Sequence, residues 1–153
     1  THRTWLDPSG GMNAMLASPR RAMGNILGNA VRFGHADDVM IAGEGIETML
    51  SLREILPTMP MAAATSSAHL AAIMFPPTLQ RLYVARDRDA AGDAAFGILT
   101  DRAQAAGIEL MSLMPELGDF NDDLREHDAS VLGQQVCLLL HEHDRTRFFN
   151  DTG

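Results

Sequence analysis

From Asp38 onward, short apolar runs alternate with stretches of helical periodicity, and that alternation leaves few folds open. Residues 39–42, 61–64, 81–85 and 108–113 are runs of strand length with little polar content. Between them, residues 46–56 place apolar side chains at Ile46, Met49, Leu50, Leu52, Ile55 and Leu56, which predicts an amphipathic helix ended by Pro57. Residues 67–75 predict a second helix, capped by Ser66 or Ser67 and stopped by Pro76 and Pro77. An alanine-rich helix is predicted over 90–106, closed by Gly107, and two more over 121–126 and 130–143. The expected fold class is α/β: βαβ units forming a parallel sheet of about four strands with helices on both faces.

Residues 1–36 have a different character. Gly10, Gly11, Gly24, Gly28 and Gly34 punctuate them, Arg3, Arg20, Arg21 and Arg32 make them basic, and Asp7 is the sole acid. Residues 3–6 and 12–16, around the turn at Asp7-Pro-Ser-Gly-Gly11, read as a hairpin, with residues 29–33 as a third strand. The expected organisation is a β-rich basic extension over 1–36, a catalytic domain over 37–145 and a flexible tail over 146–153. The 153 residues suffice for one domain with a real core. The chain starts at Thr1, so a piece of a longer polypeptide is expected. Cys137 is the single cysteine, no apolar run nears the roughly 20 residues of a membrane span, and no signal peptide opens the chain. A reducing, cytoplasmic setting without membrane contact is the expectation. The formal net charge of −8 argues against binding nucleic acid by bulk electrostatics. It does not argue against carboxylates gathered around divalent metal.

Acidic residues follow the predicted strands: Glu44, then Asp87 with Asp89, then Asp119 with Asp122 and Asp123. Ligands of open α/β sheets bind outside the carboxyl ends of the strands, so these carboxylates are expected at one edge. Facing carboxylates repel unless a proton or a hard cation lies between them, and Mg²⁺ takes oxygen ligands. One or two such ions polarise a phosphoryl oxygen and stabilise a leaving oxygen. Capping of the next helix competes as a role for Asp119, and a solvated turn plus N-cap for Asp87 and Asp89. Arg20 and Arg21 are candidates for a nucleotide triphosphate or a template backbone, or simply an exposed basic turn. Glu47 is a candidate for support of the site or a plain surface acid. His141 and His143, two apart on a helix, point apart and lack the spacing of a helical metal pair. Cys137 and the methionines read as packing.

Three blocks carry a resemblance: Val39-Met-Ile-Ala-Gly-Glu-Gly-Ile-Glu-Thr48, Leu82-Tyr-Val-Ala-Arg-Asp-Arg-Asp-Ala-Ala-Gly92 and Gly118-Asp-Phe-Asn-Asp-Asp-Leu124. In this order, each behind a predicted strand, they resemble the signature blocks of the Toprim domain, most closely those of plasmid- and phage-type DNA primases and primase–helicases. The resemblance covers roughly residues 1–126. It implies metal-dependent nucleotidyl transfer on DNA, namely primer synthesis. Glu44 matches the family's catalytic glutamate, and Asp87 and Asp89 match its metal-binding aspartates. Asp119 matches the later acidic position, with Asn121 and Asp122 in a block that varies within the family. The implied cofactor is Mg²⁺ or Mn²⁺. The implied partners are a DNA template, nucleoside triphosphates and other modules of a parent replication protein, such as a helicase or a zinc ribbon. Arg86 and Arg88 flank Asp87 as a departure from the pattern, as holders of incoming phosphates or partners of the carboxylates. The same carboxylates serve a nuclease that activates water. A non-catalytic metal- or nucleic-acid-binding module of a replication or mobilisation protein is the further alternative.

Overall fold

The computed structural model describes residues 2–4, 20–22 and 27–149. Strands β1 (His2–Thr4) and β2 (Arg20–Ala22) form a two-stranded antiparallel ribbon, with His2 opposite Ala22. The expected hairpin partner at 12–16 lies outside the described residues; the segment that pairs with β1 is the Arg20–Ala22 run instead.

The second sheet has five strands: β3 (Val31–Phe33), β4 (Val39–Gly43), β5 (Met61–Ala63), β6 (Arg81–Ala85) and β7 (Glu109–Leu113), in the order β3-β5-β4-β6-β7. Strands β5, β4, β6 and β7 run parallel, while β3 joins the edge antiparallel to β5. Residues 29–33, expected in the basic extension, therefore supply the edge of the main sheet. The segment before β3 is tied there by Met74 N–H donating to Gly28 O at 2.9 Å and by Arg32 reaching Met74 O.

Alternation along the strands sorts side chains to two faces. Val39, Ile41, Tyr83, Ala85 and Leu113 meet Met49, Leu52, Phe120, Leu132, Val136 and Phe148. These come from α1 (Ile46–Ile55), α4 (Phe120–Glu126), α5 (Ala129–Leu139) and α6 (Glu142–Phe149). On the other face Met40, Ala42, Leu82 and Val84 meet Leu70 of α2 (Ser67–Ala71) and Ala95, Leu99 and Ala103 of α3 (Ala90–Ala106). Both faces of β4 and β5, and of β6 beyond Arg81, are buried, which is why they read as continuous apolar runs.

Two expected helices differ. Helix α2 stops at Ala71 rather than running to residue 75, because Arg102 takes the carbonyls of Ala71 and Ile73 and Met74 N–H turns to Gly28. The helix expected over 130–143 is two helices broken at an extended Leu140, where His141 N–H donates to Tyr83 Oη at 2.9 Å. Helix α6 then continues to Phe149 across residues that read as the start of a flexible tail. Phe148 is buried in the core, and Arg147 pairs with Asp38 at 2.8 Å. Among the described residues no helix is long and apolar enough to cross a membrane.

Candidate functional site

The carboxyl ends of β4, β6 and β7 stand level, with Gly43 opposite Ala85 and Ala85 opposite Leu113. Glu44 directly follows β4. A Cβ on Gly43 would lie 2.6 Å from Met49 Cε and 3.2 Å from Ala85 O. Glycine there lets β4 lie flush against β6 with α1 close behind, setting the depth of Glu44. The methionine methyl is free to swing aside, but the Ala85 carbonyl is backbone. Gly43→Ala is therefore expected to cost about 1–3 kcal/mol in stability, read by thermal denaturation.

Glu44 is half-buried. Burial and the nearby Asp89 push its carboxyl above the usual range, while the Ser67 backbone N–H facing it works the other way. Asp87, two residues past β6, is the most perturbed carboxyl of the edge. Burial, then Glu44, Asp119 and Asp89, push it up to about 6. Its Oδ1 is buried with no hydrogen-bond partner. Gly92 makes this crowding possible, since a Cβ there would come within 2.7 Å of Asp87 O. Helix α3 can thus start directly behind Asp87.

Asp89 and Asp119 have double placements. Asp89 is the N-cap of α3, accepting from Gly92 N–H at 2.7 Å, and Asp119 is the N-cap of α4, accepting from Asp122 N–H at 2.8 Å. The capping role read from sequence is present in both, and both also face Asp87 closely enough to raise it. Capping uses Oδ1 in each case, and it fixes where these carboxylates stand relative to the strand ends.

Arginine placement departs from expectation. Arg86 pairs with Asp93, reaches Ser112 Oγ at 3.4 Å and stacks over the Phe96 ring at 4.4 Å. These contacts engage Arg86 through its two terminal nitrogens, with an exposed Asp93 as the ion-pair partner, while its Nε is buried without a hydrogen-bond partner. Arg88 is exposed and donates through Nε to Pro115 O at 2.7 Å, while its N–H donates to Gly118 O at 3.1 Å. It ties the loop after β6 to the loop after β7. Arg20 and Arg21 lie on β2, and their side chains are outside the described residues.

Glu47 is exposed in the first turn of α1 and Asp122 in that of α4, while Asn121 is partly buried. Asp123 behaves unlike its neighbours. It is 1% exposed, and its two oxygens accept from Glu116 N–H at 2.8 Å and Leu117 N–H at 2.7 Å. It shapes the loop that presents Asp119. Its spacing three residues after the buried Phe120 is the available signal, since i and i+3 share a helix face. Sequence reasoning also passes over Thr65 and Ser67, which come to the site from the turn after β5.

The edge gathers hard oxygen donors, one of them orphaned in a half-buried setting, which is the donor chemistry a hard divalent cation takes. Among the described residues no three of these carboxylates stand close enough together to hold one ion as placed. The clustering is of charge rather than of a closed coordination cage.

A family model described as a Toprim domain matches residues 39–130. A second, a domain of unknown function (DUF7146), matches residues 1–33. No curated protein matches the chain. Among solved structures, the primase fragment of the bacteriophage T7 primase-helicase protein is similar in fold, with a TM-score of 0.51 and 18% identity. The match covers 65% of this chain and 44% of that fragment, so the chain spans less than half of that relative's length. With the family model covering more than half of the 153 residues, and with strand-end Glu44, Asp87, Asp89 and Asp119 drawn to one edge of the sheet, the chain belongs to the Toprim domain family.

Proposed function

We propose that this chain is the Toprim catalytic part of a plasmid- or phage-type primase, carrying out metal-dependent nucleotidyl transfer on DNA. The observation that carries the reading is Asp87. It is a buried, partnerless carboxylate oxygen surrounded by Glu44, Asp89 and Asp119, an arrangement that costs stability unless a cation offsets it. The fold likeness to a primase fragment supports it.

Asp87, Asp89 and Asp119 would hold Mg²⁺ or Mn²⁺, with Glu44 beside them. When bound, the ion neutralises phosphate charge and polarises the phosphoryl group under attack. Glu44, its carboxyl raised by burial, is suited to take the proton of the attacking 3′-hydroxyl. The N-cap bonds of Asp89 and Asp119 keep those carboxylates at the strand-end edge, from which they would draw in around an ion. Arg88 stands exposed beside Asp87 and, with Arg86 on its other side, is assigned to a phosphate, and Arg20 and Arg21 are assigned to the DNA backbone on the preceding ribbon. The two family models end at residue 33 and begin at residue 39, on either side of the 36/37 boundary, while β3 of the first stretch pairs into the sheet of the second. The DNA template, nucleoside triphosphates and companion modules such as a helicase or zinc ribbon complete the assignment.

Two measurements test this. Calorimetric titration with Mn²⁺ should give saturable binding to the native chain that disappears in the Asp87→Asn/Asp89→Asn double variant. Primer synthesis should then fall about 10²–10⁴-fold in Glu44→Gln. Unchanged synthesis in Glu44→Gln would sink the assigned role. Cleavage of labelled DNA without added nucleotides would transfer the same site to a nuclease.

A further inference from the structure

Among the described residues, Thr65 is the single non-glycine with a positive φ, at 71°. A β-branched residue in the left-handed region is strained by roughly 1–2 kcal/mol. Such strain persists where the surroundings over-determine it, and it gathers at functional sites. The Thr65 surroundings lead to Glu44. Ala64 N–H donates to Gly43 O and Thr65 N–H to Glu44 O, both at 2.8 Å. The chain then turns at Thr65, so that the Ser67 N–H faces the Glu44 carboxylate. Ser66 caps the short helix that follows, its Oγ accepting from His69 N–H at 3.2 Å. Thr65 Oγ1 lies 3.5 Å from His69 Nδ1, a contact that closes the turn on itself. An ordinary φ at Thr65 would swing Ser67 away from Glu44.

We propose that Thr65 is a positioning residue for Glu44: its left-handed turn, closed by His69, holds the Glu44 backbone and brings the Ser67 N–H to the Glu44 side chain. The proposal rests on Glu44 being the catalytic acid/base, and the test separates the two ideas. Thr65→Val keeps the shape and the strain but loses the hydroxyl, so the turn is expected to relax. Thr65→Gly adopts φ > 0 freely and needs no closing contact. Both should melt within a few degrees of the native chain. In primer synthesis, Thr65→Val should lose about tenfold in kcat at unchanged nucleotide KM, and Thr65→Gly should stay within about threefold of native. The second readout is free of activity. The Ser67 amide resonance should move on Glu44→Gln in the native background, and by less than about half as much in the Thr65→Val background. A Ser67 resonance that follows Glu44 equally in both backgrounds overturns the proposal, as does native kcat in Thr65→Val when Glu44→Gln is inactive. An active Glu44→Gln removes the catalytic reading instead, and the Ser67 resonance still decides whether Thr65 places that side chain.

Discussion

In a buffer stripped of divalent metal, Asp87→Asn will melt higher than the native chain, by about 2–4 °C for a gain of about 1 kcal/mol. The Asp87 carboxyl is raised from 3.8 to about 6 in the folded protein. A raised acid binds its proton more tightly folded than unfolded. Between these two values the native state therefore holds more proton than the unfolded state, and stability falls as pH rises. Above about 6 the whole penalty is present; below 3.8 it is gone. The kcal/mol figure is smaller than the full shift implies because the group retains solvent contact. The expected result is a native chain that gains stability from pH 7 to pH 5 relative to Asp87→Asn, with the two curves converging in acid. Adding Mn²⁺ should reverse the order at pH 7, since a ligand that binds only the folded state stabilises it by mass action. Thermal melts of both proteins, with and without Mn²⁺, at pH 5 and 7 check every part. A native chain that never overtakes Asp87→Asn in Mn²⁺ would remove the metal from the site.

The largest loss of stability is expected far from that edge, in Asp144→Ala. Asp144 is fully buried, and its Oδ2 accepts from Tyr83 Oη at 2.6 Å and Arg81 Nη1 at 2.7 Å. Removing it leaves a mostly buried guanidinium with the exposed Glu109 alone as its charged partner, and leaves the phenol, which burial and this bond push above its ordinary range, without its acceptor. Breaking a buried pair from one side typically costs about 3–5 kcal/mol, a large part of a domain's total, and about 10 °C or more in melting temperature. Tyr83→Phe removes one neutral donor and keeps the ion pair, so it should cost about 1–2 kcal/mol. Chemical denaturation of the two variants distinguishes them, and equal losses would locate the stabilisation in the phenol rather than the ion pair.

Much of the architecture is legible in the order of residues alone. Strand β6 and helix α3 fall where the apolar run and the Gly107 stop place them, because a fully buried strand and a long alanine-rich helix leave few alternatives. Asp144 is illegible. A lone acid in a polar, charged segment reads as surface, and its partners lie 61 and 63 residues away in the chain. The same non-local demand breaks the helix at Leu140, which local periodicity carries straight through. At the site, the strand-end rule gathers Glu44, Asp87 and Asp119 correctly at one edge. It does not separate Asp123 from its neighbours, nor does it see that Arg86 turns toward Asp93 and Phe96, because both depend on which way a side chain turns. Thr65 escapes notice because a threonine carries no mark of a left-handed backbone.

Helix α6 fastens the opposite rim of the sheet. Asp144 grips Arg81 and Tyr83 near the start of β6, Arg81 also holds Glu109 at the start of β7, and Arg147 holds Asp38 just before β4. The carboxyl ends lead into turns and helix starts, tied to one another through Arg88. Amide hydrogen exchange should therefore run as a gradient along each central strand, slowest near Arg81 and Tyr83 and fastest approaching Asp87. The molecule is built like a comb: a rigid spine at the strand starts, and teeth whose tips have room to close around what they hold.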